Sequence, residues 1–261
     1  MFVSTYLVKN ETNLCELISN IDSLYRNDGI TIHSDRNTTK KIEFNGRLFA
    51  VKSFQSPNFL QRIAYANFRK PKAQRSLEFS LKLIDAGLHS PKPIGYIVTK
   101  HSMQIHKSFY ITEYHDYDFD LVPVFEQFDS HLKLIEKFIK TIIHMHDNNI
   151  YHHDLTKRNI LITPSSKHVF SFVDNNRMSF VEMSLKMRME SLSKLSNNVN
   201  ELHALANLYG KHSNYSSQRC IDFIDKGFRK SQRYKNVKKF LKGNKKGAFD
   251  ATPFFTRGNQ R

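Results

Sequence analysis

Residues 151–162 read YHHDLTKRNILI. A His-His-Asp triplet, a short mixed stretch and an asparagine run directly into an apolar segment. Aspartate and asparagine in such a place serve a turn, a cap or a reaction. Upstream, HLKLIEKFIKTIIHMHDNN (131–149) puts Leu132, Ile135, Phe138, Ile139, Ile142 and Met145 on one stripe at helical spacing. Downstream, NILI (159–162) and HVFSFV (168–173) flank Pro164-Ser165-Ser166-Lys167, the pattern of a hairpin. A hairpin returns its exit beside its entrance. Asn159 and Asp174 are therefore expected at one end of the ribbon, with Asp154 in the loop before it. Two carboxylates and one amide oxygen then converge. Magnesium accepts one or two such oxygen groups and completes its shell with phosphates and water. On this reading Asn159 and Asp174 hold metal, and Asp154 accepts or orients the proton of an attacking hydroxyl. Each residue alone has a plainer use as a turn residue, cap or strand end. The three together, between that helix and that hairpin, favour the chemical use.

The first part of the chain reads differently. KKIEF (40–44), Asn45-Gly46 and RLFAVKSF (47–54) form a hairpin signal, because Asn-Gly accepts the positive φ angles of a two-residue turn. Strand period places Leu48, Ala50, Lys52 and Phe54 on one face. A lysine among apolar neighbours either finds an anionic partner or snorkels to water. RSLEFSLKLIDAGL (75–88) spaces Leu77, Leu81, Ile84 and Leu88 as a helix, with Gly87 as its stop. PKPIGYIV (91–98) and KSFYITEY (107–114) read as strands, and the region beyond 180 reads as mainly helical. Strands with one helix followed by helices make an α+β class, with two lobes and a cleft between them.

Composition narrows the partners. The chain of 261 residues is 39% hydrophobic and 25% charged, which fits a globular protein. Lys and Arg number 40 against 24 Asp and Glu, a net charge of +16. Nucleic acid, an anionic membrane surface or a strongly anionic substrate would suit it. Cys15 and Cys220 lack any partner spacing, so a reducing compartment is expected. MFVSTYLVKNETNLCEL shows neither a secretory signal nor a bilayer-spanning run. His144 and His146 lie two apart in a helix, and His152 and His153 are adjacent in an extended stretch, so neither pair builds a zinc site. DKGFRKSQRYKNVKKFLKGNKKG (225–247) interleaves bases with Phe228, Tyr234, Val237, Phe240 and Leu241. It is either a solvated helical face or a surface for an anionic glycolipid or leaflet.

His152-His153-Asp154-Leu155 with Asn159 resembles the protein-kinase catalytic loop H-R-D-L-x-x-x-N, with His153 in the Arg position. Asp174-Asn175-Asn176 stands where those kinases carry D-F-G, and Phe49-Ala50-Val51-Lys52 resembles V-A-I-K. The resemblance implies that Lys52 binds phosphates and that Glu78 pairs with it, although Glu78 and Lys82 also have the spacing of a surface ion pair. It further implies that Ile111-Thr112-Glu113-Tyr114 is a hinge whose backbone holds adenine, so that Glu113 and Tyr114 join the nucleotide-binding set. Departures are clear. HSDRNTTKKIEF (33–44) contains no glycine, Asn176 replaces the D-F-G glycine as a residue that tolerates a left-handed conformation, and no A-P-E follows. These absences argue against an ordinary protein kinase. NGRLFAVKSF, KAQRSLEFSLKLIDAGLHSPKPIGYI, IYHHDLTKRNILI and FSFVDNNRM, in that order over about residues 33–180, resemble the bacterial lipopolysaccharide kinase family.

That resemblance implies a two-lobed protein-kinase-like fold, with an N-lobe of antiparallel sheet and one helix at 1–112 and a mainly helical C-lobe at 113–261. It implies ATP and Mg²⁺, with transfer of the γ-phosphoryl group to a sugar hydroxyl, foremost Kdo on a lipid A precursor. The expected setting is the cytoplasmic face of the inner membrane, in peripheral contact with its anionic surface and without nucleic acid. Heptose is the alternative acceptor. An atypical protein kinase of the ribosome-maturation type and an aminoglycoside-type phosphotransferase are the alternative activities. A cationic aminoglycoside sits poorly with a charge of +16.

Overall fold

Asn45 (φ 51°) and Gly46 (φ 71°) both lie in the left-handed region, as a tight hairpin turn of the right twist demands. The computed structural model containing this turn describes residues 2–8, 12–34, 37–55, 70–101, 104–117, 119–163 and 169–247. The turn joins two strands of a six-stranded antiparallel sheet. Its members are β1 (Phe2–Leu7), β2 (Ile30–Ser34), β3 (Asn37–Phe44), β4 (Arg47–Phe54), β5 (Pro93–His101) and β6 (Gln104–Glu113), in the order β1-β5-β6-β4-β3-β2.

Among the described residues, two helices cover this sheet. The unanticipated one is α1 (Thr12–Asn27), whose Leu14, Leu17 and Ile21 pack on Ile42, Phe49, Val51, Ile97, Phe109 and Ile111. Its signal was present in apolar residues three and four positions apart. The other is α2 (Lys72–Asp85), which ends at Ala86 before the left-handed Gly87 (φ 74°). Its Ala73 and Leu77 pack with Phe54, Tyr96, Val98 and Tyr110. The buried face of α2 is rotated from the expected one. It comprises Ala73, Arg75, Ser76, Leu77, Ser80 and Leu83, while Ile84 is 40% exposed. Small and polar residues occupy that face because it looks toward a cavity and a turn rather than toward core alone.

The second half is built around α4 (Leu132–Asp147), preceded by β7 (Phe119–Asp120) and the short α3 (Val122–Glu126). The stripe Ile135, Phe138, Ile139, Ile142, Met145 is fully buried, each such side chain stabilising by about 1.5–3 kcal/mol. After β8 (Ile150–His152), the hairpin forms as β9 (Ile160–Thr163) and β10 (Val169–Phe172), with β7 added as a third strand. The expected turn at 164–167 lies outside the described residues. β11 (Met178–Phe180) pairs back onto β8. Then follow α5 (Leu185–Leu192), α6 (Val199–Lys211) and α7 (Ser217–Gly247).

A buried polar network ties the end of α4 to α5 and α6. The Arg188 guanidinium donates to Asp147 Oδ1 at 2.6 Å, to the Tyr209 hydroxyl at 3.0 Å and to Met183 O at 3.0 Å. The Tyr209 hydroxyl lies in turn 3.1 Å from His146 Nδ1, within hydrogen-bond reach. Burial, helped by the Arg188 charge, pushes the His146 pKa down to about 3. Among the described residues no helix is long and apolar enough to cross a membrane.

Candidate active site

The register of the β9–β10 hairpin decides the site. Phe172 faces Ile160, and Val173 N donates to Asn159 O at 3.0 Å. Asn159 and Asp174 therefore emerge together, and both line a cavity of about 450 Å³. Lys52 reaches this cavity from β4, because Ala50 and Lys52 share the strand face opposite the buried Phe49 and Val51. Its Nζ lies 2.5 Å from Asp174 Oδ1, across 122 residues of chain. The anionic partner required by the lysine is thus Asp174. Burial works to raise the Asp174 pKa, but the Lys52 charge and hydrogen bond outweigh it and hold the carboxyl below its ordinary value.

Asp174 itself is the left-handed residue (φ 57°), and Asn176 is not. A left-handed aspartate is uncommon and is maintained only where neighbours over-determine it. Asn176 Nδ2 donates to Asp174 Oδ1 at 2.6 Å. Both bonds to this carboxylate fall on Oδ1, which leaves Oδ2 for a cation. Asn159 Nδ2 is likewise taken, donating to the main-chain oxygen of Asp154 at 2.9 Å, which leaves Oδ1 as the ligand atom. One carboxylate and one amide oxygen on a shared cavity match the sparse protein contribution that Mg²⁺ requires beside phosphate.

Asp154 does not line the cavity, although Asn159, bonded to its main-chain oxygen, does. Its side chain is 33% exposed, with Arg177 Nη1 at 3.4 Å from Oδ2. Its N–H donates to Nδ1 of the buried His152 at 3.1 Å. Burial pushes the His152 pKa down to about 4, so a neutral imidazole braces the loop from beneath. His153 N donates to Arg177 O, and Lys194 Nζ donates to His153 O at 3.0 Å.

Glu78 is not brought to Lys52. Its carboxylate accepts from Lys70 Nζ at 2.8 Å and from Gln74 Nε2 at 3.0 Å. The rotation of α2 explains this: Ser76 and Ser80 face the cavity, and Glu78 stands on the flank. Of the expected hinge, Thr112 and Tyr114 line the cavity and Glu113 does not, while His115 and Tyr117, just beyond it, do. However, Glu113 N donates to Lys92 O and Tyr114 N to Leu48 O. The Glu113 carboxylate is engaged by Lys92 at 2.7 Å and Arg47 at 2.8 Å. The glycine-free hairpin of β2 and β3 contributes Ile32, His33 and Thr39, so side chains form the cover there.

Sequence reasoning missed Arg75, Ser80, Ser90, Asn175 and Arg158. Arg158, Ser80, Ser90 and Asn175 line the cavity. Arg75 is buried and donates to Asn176 O at 2.8 Å. The available signal was the presence of Arg75, Ser76 and Ser80 within an otherwise apolar helix face.

The family model described as Lipopolysaccharide kinase (Kdo/WaaP) family matches residues 36–226. A solved structure described as WaaP in complex with acyl carrier protein is similar at a TM-score of 0.56 and 17% identity, covering 88% of this chain and 98% of that one. The PknI kinase domain of Mycobacterium tuberculosis gives a TM-score of 0.44 at 10% identity, over 76% of this chain and 93% of that one. No curated protein matches the chain.

Proposed function

The chain belongs to the lipopolysaccharide kinase (Kdo/WaaP) family, a phosphotransferase family of lipopolysaccharide core synthesis, and on that premise we propose that it transfers the γ-phosphoryl group of ATP to a hydroxyl of Kdo on a lipid A precursor. The observation that carries the reading is the meeting of Lys52 and Asp174 at 2.5 Å in a cavity that Asn159 also lines. A lysine, a carboxylate and an amide oxygen drawn from distant sequence are what a phosphate–metal complex needs around it. The reading divides the chain into a nucleotide-binding lobe at 1–112 and a catalytic lobe at 113–261.

Lys52 would exchange Asp174 for the nucleotide phosphates. Asp174 Oδ2 and Asn159 Oδ1 would hold Mg²⁺. Bound Mg²⁺ supplies charge neutralisation at the transferring group. Asp154 would orient the acceptor hydroxyl and take its proton, with Arg177 beside it. Tyr114 would pack against the adenine. Because the N–H groups of Glu113 and Tyr114 are taken, the backbone donor to the base would come from the His115–Tyr117 stretch. Glu78 would join Lys52 only by leaving Lys70.

The net charge of +16 favours an anionic glycolipid acceptor, with peripheral contact at an anionic leaflet on the cytoplasmic side. Heptose is the competing acceptor within the family. Copurification would show whether this chain also takes acyl carrier protein, the partner in the WaaP structure.

The test offers Mg-ATP with a Kdo-bearing lipid A precursor, a heptosylated one, an aminoglycoside and a generic protein, with products read by mass spectrometry. Phosphate on the Kdo lipid is expected, and Asp154→Ala is expected to abolish it with an unchanged circular dichroism spectrum. Phosphate on the heptosylated lipid alone would move the acceptor to heptose. Labelling of protein alone would remove the sugar-kinase reading.

A further inference from the structure

We propose that α2 positions the metal-binding carboxylate of Asp174 through a polar clamp of Arg75, Ser80 and Asn175, in the place where a helical glutamate would pair with the phosphate-binding lysine. The proposal rests on the nucleotide reading of the site.

The argument begins with strain. The left-handed backbone of Asp174 costs on the order of 1–2 kcal/mol, so the residues around it must hold it there. Two bonds from α2 meet the residues that follow it. Arg75, only 7% exposed, donates from Nη1 to Asn176 O at 2.8 Å and from Nε to Lys70 O at 3.2 Å. Asn175, 4% exposed, turns its side chain inward. Its Nδ2 lies 2.9 Å from Ser80 Oγ, 3.0 Å from Ser90 Oγ and 3.0 Å from Phe172 O. Ser80 in turn accepts from the Tyr110 hydroxyl at 3.0 Å, whose pKa burial raises far above the ordinary phenol value, so it stays a donor.

The chain of contacts ends on the carboxylate. Asn176, held at its carbonyl by Arg75, donates its Nδ2 to Asp174 Oδ1. A shift of α2 therefore moves residues 175 and 176 and re-aims Asp174. By contrast, Glu78 on the same helix is occupied by Lys70 and Gln74. An apolar side chain at 175 could make none of the three contacts, and a glutamate–lysine pair would register the helix on β4 instead. Arg75, Ser80 and Asn175 are thus positioning residues for the metal.

The test melts the full chain with adenylyl imidodiphosphate across a MgCl₂ series and reads the rise in Tm over nucleotide without metal. Arg75→Met and Asn175→Ala are expected to need about 10–100-fold more Mg²⁺ for half of that rise. Arg75→Lys keeps a donor toward Asn176 O and should recover most of the response. Glu78→Gln should lose less than either clamp variant. If Arg75→Met does not fold by circular dichroism, Asn175→Ala decides. A normal wild-type response combined with an unshifted Asn175→Ala, or a larger loss in Glu78→Gln, would overturn the clamp alone. Absence of any metal-dependent rise in the wild type would overturn the nucleotide reading, and the clamp with it.

Discussion

Among single residues, His146 has the clearest thermodynamic signature. Its folded pKa of about 3 lies well below the ordinary value of 6.5, because burial excludes the charged form. Below that ordinary value the unfolded chain binds a proton that the fold refuses, so stability falls as pH drops toward the folded pKa. His152, pushed down to about 4, acts in the same sense. Each contributes a slope of at most about 1.4 kcal/mol per pH unit. Asp174 acts in the same sense, but at lower pH. Its pKa is lowered, so the stability it contributes is present above the ordinary carboxylate range and is lost only as pH falls below it. Tm should therefore decline between about pH 6 and pH 4 before the carboxylates respond. His146→Phe should flatten that decline, and a Tm series over this range would show it. An unchanged slope would mean that His146 is protonated in the fold.

For the secondary-structure elements, the β3–β4 hairpin offers a clean measurement. Gly46 has φ 71°, and a Cβ there would meet nothing within 4 Å. Gly46→Ala is therefore expected to cost about 1–2 kcal/mol from backbone conformation alone, with no loss of packing, as read by urea melts. That hairpin, the β9–β10 hairpin and α4 were legible because turn chemistry and an unbroken apolar stripe both report local geometry. Helix α1 was legible in principle from Leu14, Leu17 and Ile21. The working side of α2 was not. Periodicity identifies the face that can be buried, but not whether core, a cavity or a turn covers it. Ser76 and Ser80 are neutral to that signal, so the apolar residues alone set the expected face; the pairing of Glu78 with Lys52 came from the kinase resemblance, and in the structure the carboxylate lies with Lys70 and Gln74. Spacing put Asn159 and Asp174 on one cavity, because a hairpin register is itself a spacing rule, but it did not bring Asp154 there. Asn175 has no such rule: its role depends on Ser80 and Ser90, 95 and 85 residues away.

Taken as a whole, the molecule is dominated by its positive charge. Lys226, Arg229, Lys230 and Arg233 are exposed on α7 at three- and four-residue spacing. Vesicles containing phosphatidylglycerol should bind the chain in cosedimentation, more weakly as NaCl rises. Replacing these four residues with serine should weaken binding by about 1 kcal/mol per charge. Binding that ignores both salt and substitution would place the contact elsewhere. The Lys52–Asp174 pair acts on the same scale, since it fastens the sheet-rich half to the helical half with side chains 19% and 26% exposed. Lys52→Met or Asp174→Asn alone strands one half-buried charge. The double change strands none, so a urea-melt cycle should show it less destabilised than the sum by about 0.5–3 kcal/mol. Additive losses would mean that the two charges are solvated independently. The pair is therefore epistatic: what either change costs depends on whether the other residue is still present. A lineage that loses this pair is thus expected to lose both members together, whichever changes first.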